Sequence, residues 1–234
     1  MDLPQRNGAA GRLRQHWNLM PAFFSELILQ TDEARRSFET DPVILAAVAE
    51  GMSLERYRRL LSELYQIVWH FNPICAAAAS RIADSEREVR YFLYSHMQEE
   101  SGHEQWVAND LRAVGVDLVA VSEYEACATT RALIGYNYWG ADRGHPCSAL
   151  GMLYTLEVIA SVYGGTFSSA IREALLLEGS AGTSFINSHA ELDAEHMKDL
   201  REILNTVEDP VARRAVVAST RVNFEMVTRI FSGI

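Results

Sequence analysis

The chain has 234 residues, 48% of them hydrophobic and 22% charged, which is enough for one large domain with a real core. Its 31 acidic and 21 basic residues give a formal charge of −10, the wrong sign for neutralising phosphates, so nucleic acid is excluded as a partner. Mean hydropathy is −0.06, no apolar run approaches the roughly 18 residues of a membrane span, and the first twenty residues lack a signal-like apolar core, so the expected compartment is the cytoplasm.

Residues 1–20 read as a loose N-terminal segment broken by Gly8 and Gly11, followed by one helical domain over 21–234. The first helix is expected from Pro21 to about Phe38. Asp41-Pro42 caps and opens a short helix through Ala49. Ser53 caps a longer one with apolar positions at Tyr57, Leu60, Leu61, Leu64, Ile67, Val68 and Phe71, which Pro73 should kink or interrupt. A helix capped by Ser85 runs to about Val114, and Ser122 begins another through about Tyr136. Pro146 opens a helix to about Leu177 that Gly164-Gly165 could bend. Thr183 caps a segment to about Val207, and Asp209-Pro210 opens the last helix. No stretch alternates as a strand does, so the expected class is all-α, a bundle of seven or eight helices.

The buried stripes of these helices carry the chemistry. In the helix over 85–114 the stripe reads Val89, Leu93, His96, Glu100, His103, Val107, Leu111, with apolar ends and a polar middle. In the segment after Thr183 it reads Ile186, His189, Asp193, His196, Leu200, Ile203. Glu157 lies on a third apolar stripe, between Leu153 and Ala160. Glu63 and His70 share the edge of a fourth. Bare burial of so many carboxylates would cost several kcal/mol each, and a cation removes that cost. Imidazole and carboxylate suit iron, manganese or zinc, and the widely spaced Cys75, Cys127 and Cys147 form no CxxC thiolate site. Ligands at i, i+4 and i+7 span about 10 Å of helix, enough for two ions. Glu63, Glu100-x-x-His103, Glu157 and Asp193-x-x-His196 fit the carboxylate and Glu-x-x-His set of dinuclear bundles. His70 is a ligand, a hydrogen-bond partner of one, or a satisfied core histidine. Tyr163, beside Gly164-Gly165, and Trp69 and Trp106, next to candidate ligands, are candidate walls of a substrate pocket. His16 and His145 lie near helix starts and read as structural.

The EESGH at 99–103, Glu157 and the HAELDAEH at 189–196 resemble the heme-oxygenase-like diiron oxidases and oxygenases, a family whose fold is shared with heme oxygenase and the thiaminase-like proteins. The segments ELYQIVWHFNP and RYFLYSHMQEESGHEQW are similar to its first two core helices, and the likeness covers roughly residues 50–207. The resemblance implies a heme-oxygenase-like bundle holding two Fe(II) ions on Glu100, His103, Glu157, His189, Asp193 and His196, with Glu63 as a further acid. This chain departs from the pattern at His96, which occupies the spacing of an acidic ligand in some members, so His96, Glu100 or both bind metal. The implied activity is dioxygen-dependent oxidation of a small amino-acid-derived or fatty-acid substrate in specialised metabolism. A ferritin-like diiron oxidase or iron-binding protein without an organic substrate is the alternative. By analogy the long outer helices suggest a homodimer; neither nucleic acid nor membrane is an expected partner.

Overall fold

The computed structural model describes residues 22–117, 119, 121 and 123–234, with the backbone alone at 190–195. The expected N-terminal segment at 1–20, His16, the Ser122 cap and the Asp193 side chain therefore lie outside the described residues. In chain order the helices are α1 (Phe23–Glu39), α2 (Pro42–Glu50), α3 (Leu54–Ala79), α4 (Arg87–Glu99), α5 (His103–Ala113), α6 (Ala128–Asp142), α7 (Ser148–Ile159), α8 (Gly165–Leu175), α9 (Ser184–Thr206) and α10 (Pro210–Gly233). A π-helical turn at Ala160–Gly164 joins α7 to α8 without a break. Among the described residues there is no strand.

Local chemistry sets most boundaries. Asp41 accepts hydrogen bonds from the N–H groups of Val43 and Ile44, and Asp209 from those of Val211 and Ala212, each just before a proline at the first helical position. Ser53 caps α3 through the Arg56 N–H. Pro73 does not interrupt α3, which continues for 26 residues. Buried Ile74, Cys75, Ala78 and Ala79 beyond the proline hold the last turns in the core, and only one helical hydrogen bond is forfeited.

Three expectations are corrected. The helix expected over 85–114 is two helices, because Gly102 adopts φ +94°, a left-handed conformation that ends one helix and re-aims the next. Ser85 falls in a short 3-10 turn, and α4 begins at Arg87. The helix expected over 122–136 lies at Ala128–Asp142, where the Cys127 sulfur accepts from the Thr130 N–H.

Two apolar clusters fill the bundle. One joins Phe23, Phe38, Leu93, Leu150, Leu153 and Phe224; the other joins Tyr57, Leu61, Val107, Leu111, Phe167 and Ile171. Phe231 packs against both. α7 and α10 meet closely at Gly151, where a Cβ would lie 2.5 Å from the Val216 carbonyl oxygen. That contact fixes α7, and with it Glu157, against the rest of the bundle.

Candidate metal centre

Four segments bring their polar residues to one place. His96 sits in the last turn of α4, Glu100 just past its end, and His103 opens α5 beyond the Gly102 turn. Glu157 is near the end of α7, and His189 and His196 lie two turns apart on α9. The break at Gly102 lets Glu100 and His103 both face inward, although they no longer share a straight helix. His96, Glu100, His103, Glu157 and His189 are each at least nine-tenths buried.

The two oxygens of Glu100 face two groups of ligand atoms. Oε2 lies 2.7 Å from His103 Nδ1 and 3.5 Å from His189 Nε2, and those two nitrogens are 3.2 Å apart. Oε1 lies 3.9 Å from His196 Nδ1. Glu157 Oε1 is 3.4 Å from the same nitrogen and 3.5 Å from His96 Nε2. An ion held by bonds of about 2.1 Å spaces its ligand atoms roughly 3 to 3.4 Å apart, so both groups have the right reach. Both His96 and Glu100 are in place; neither excludes the other. Glu99, which sequence reasoning did not single out, reaches His196 Nε2 at 3.6 Å from its half-exposed position. Its only signal was the adjacency of two glutamates in EESGH.

A cation also fits the unmet bonding here. Buried His96 Nε2, Glu100 Oε1 and Glu157 Oε2 make no hydrogen bond. Orphaned buried polar atoms are rare and costly, and these three belong to residues of one group. Burial alone would raise the Glu100 carboxyl pKa. The hydrogen bond from His103 and the adjacent His189 imidazole outweigh it and hold the group well below the usual carboxylate range. Burial lowers the His96 pKa against the pull of Glu157 and Glu100, which favours the neutral imidazole that a metal needs. His96 is wedged by Phe92, stacked at 5.6 Å, and Phe71 at 5.7 Å between ring centres.

Other candidates fall elsewhere. Glu63 is buried, but its carboxylate accepts a short hydrogen bond from the Tyr124 hydroxyl and two contacts from the Cys127 N–H, at 3.0 and 3.2 Å. It thus anchors the start of α6 and does not join the described ligand groups. His70 Nδ1 lies 3.1 Å from the Tyr138 hydroxyl, on the side of α3 that meets α6. Trp106 stacks on His103 with ring centres 4.0 Å apart and does not line the cavity between the two apolar clusters. Trp69 is 53% exposed on the outer face of α3 and packs on Tyr65. Tyr163 does line a cavity, and burial raises its pKa to about 12, so its hydroxyl is neutral.

That cavity, of about 170 Å³, lies between the two apolar clusters. Glu100, Glu157 and His189 form part of its wall. Most of the remainder is aliphatic or aromatic, including Phe38, Leu64, Phe71, Leu156 and Phe231. Ile159, Ala160, Tyr163 and Gly164 come from the last residue of α7 and the π-helical turn after it, a local widening of the helix that recurs at functional sites.

Residues 58–226 match the sequence pattern of the iron-containing redox enzymes. The chain belongs to that family. Among solved structures, this iron-containing redox enzyme is similar to a heme-oxygenase-like domain of unknown function from Shewanella denitrificans, at 22% identity and a TM-score of 0.77 over 96% of this chain and 91% of that one. A TenA homologue from Pseudomonas syringae aligns at 16% identity and 0.78 over 99% and 98% of the two chains. Heme oxygenase-1 from the cyanobacterium Synechocystis, solved with heme, aligns at 16% and 0.72 over 91% and 92%. At such identities the likeness establishes the heme-oxygenase-like fold expected from the sequence. No protein of curated function matches the sequence significantly. Among the described residues, no helix is long and apolar enough to cross a membrane.

Proposed function

We propose that this iron-containing redox enzyme is a non-heme diiron oxidase or oxygenase that uses dioxygen to oxidise an apolar small molecule carrying one polar end. His103, His189 and Glu100 Oε2 would hold one iron; Glu100 Oε1, Glu157, His96 and His196 would hold the other, with Asp193 as a further ligand. Bound there, two Fe(II) ions would supply the electrons for dioxygen reduction and the oxidising power turned on the substrate.

The observation that carries the reading is the junction of ligands and cavity: Glu100, Glu157 and His189 line the same apolar space. An iron-storage protein has no use for such a space, whereas an organic substrate does. The cavity also narrows the substrate class. Among the described residues, its ionisable lining besides those three ligands is Tyr163. A free amino acid would bring an ammonium and a carboxylate that both need partners when desolvated. A fatty-acid-like molecule brings one polar group and an alkyl chain whose burial is favourable along the aliphatic walls. The chain's own contribution is to orient that molecule, to exclude water through those walls and to keep Glu100 and His96 fixed by their neighbours.

Dioxygen uptake by the iron-loaded protein tests this. Straight-chain carboxylic acids should accelerate uptake, and free amino acids should not. Ala160→Phe, which fills the cavity, should abolish the acceleration while leaving the iron count unchanged. Uptake driven by Fe(II) alone and indifferent to both changes would favour the ferritin-like alternative.

A further inference from the structure

Asp110 is a buried acid, 1% exposed, that the metal centre does not use. It lies on α5 two turns after His103, and its carboxylate reaches across to the start of α9. Oδ1 accepts from the Ser184 N–H at 2.8 Å and the Ser184 hydroxyl at 2.7 Å; Oδ2 accepts from the Phe185 N–H at 2.8 Å. Asp110 thus caps α9 from another helix, satisfying N–H groups that have no partner inside their own helix, with a negative charge at the positive end of the helix dipole. Thr183, the residue expected to cap α9, instead turns its hydroxyl toward the Ser180 carbonyl at 3.4 Å.

Phe185 continues the chain of contacts. Its carbonyl lies 2.9 Å from His189 Nδ1. A carbonyl only accepts, so Nδ1 carries a proton, and in the neutral ring Nε2 keeps its lone pair. That lone pair faces Glu100 Oε2 and His103 Nδ1. α5 and α9 are therefore tied at two points: His103 to His189 at one, Asp110 to Ser184 and Phe185 at the other. A slip of α9 by one turn would move His189 by about 5.4 Å and break every bond to Asp110.

We infer that Asp110 is a positioning residue that sets the register of α9 and, through Phe185, the ring orientation and tautomer of His189. It touches no ligand atom and acts on the centre only through α9. The consequence for metal rests on the proposed dinuclear centre; the consequence for the tautomer belongs to the metal-free chain.

The test is a long-range ¹H–¹⁵N correlation of the imidazoles in the metal-free, ¹⁵N-histidine-labelled full chain above pH 8, with His189 assigned by its loss in His189→Gln. Wild type should show His189 protonated at Nδ1. In Asp110→Asn an amide N–H₂ replaces one acceptor and confronts the N–H groups of α9, so the Nε2–H form should rise several-fold. Co(II) affinity should fall about 10- to 100-fold, the usual effect of losing the group that orients a ligand. Ser184→Ala, which removes one of the bonds, should move both readouts the same way by less, and serves if Asp110→Asn does not fold. Tyr57→Phe is the control. It removes the 2.6 Å bond from the Tyr57 hydroxyl to the Gly182 carbonyl, loosening the same loop while leaving the Asp110 bonds. An unchanged tautomer in Asp110→Asn, or an equal change in Tyr57→Phe, overturns the inference. Absence of Co(II) binding in wild type would count against the metal centre and leave the tautomer result to decide on Asp110.

Discussion

Glu63 was a candidate ligand by sequence and is an anchor in the structure, and the two roles separate experimentally. Its carboxylate is 1% exposed and is held by the Tyr124 hydroxyl and the Cys127 N–H. Glu63→Gln keeps the shape but loses the charge and one acceptor oxygen. Loss of one charge-assisted hydrogen bond costs about 1.5–3 kcal/mol. At roughly 2–4 °C per kcal/mol for a chain of this size, Tm should fall by about 3–12 °C. Urea and thermal unfolding of the metal-free protein measure this without interference from bound ions. Tyr124→Phe removes the same bond from the other side, so the double variant should cost less than the sum of the two. The iron count should not change in any of the three. Unaltered metal-free stability together with the loss of one iron in Glu63→Gln would refute the anchoring role and restore Glu63 as a ligand.

Gly102→Ala should cost about 1–2 kcal/mol, the penalty for an L-residue in the left-handed region, and should weaken metal binding; because no atom lies within 4 Å of the added Cβ, the backbone alone is responsible, and an unchanged urea midpoint would count against the turn. Glu100→Gln should reduce both irons, since its two oxygens face different halves of the centre, whereas His103→Ala should reduce one; metal analysis after gel filtration distinguishes them. The metal-free protein should lose stability on acidification. Burial lowers the pKa of His96 and of His70 below the ordinary value, so the folded state binds fewer protons than the unfolded one. Their contribution is complete above about pH 6.5 and is lost as the pH falls through the folded-state values. A urea midpoint that holds constant or rises between pH 7.5 and 5.5 would contradict this.

Much of this was legible locally. Asp41-Pro42, Ser53 and Asp209-Pro210 announced their helices because a cap acts on N–H groups two or three residues away. His96, Glu100, His103, Glu157, His189 and His196 stood out because each interrupts an apolar stripe, and burial of polar groups needs a partner whatever the tertiary detail. Legibility ended where the deciding contact crosses the chain. The partners of Glu63 lie 61 and 64 residues away, and those of Asp110 lie 74 and 75 residues away, so neither the anchoring by Glu63 nor the capping by Asp110 has a local signal. Gly102 was hidden for another reason. A single glycine inside a helical pattern is tolerated as often as it breaks the helix, and the polar stripe kept its spacing across the turn. The cavity could not be read because its walls come from both apolar clusters, and only Tyr163 among the three aromatic candidates faces it.

Iron per chain, determined after anaerobic loading with Fe(II) and removal of the excess, tests the dinuclear centre most directly. Two irons in wild type, falling in both His189→Ala and His196→Ala, are expected from ligand groups that share Glu100. A value near zero, with manganese and zinc also unbound, would contradict the centre and return these buried histidines and acids to a purely structural network.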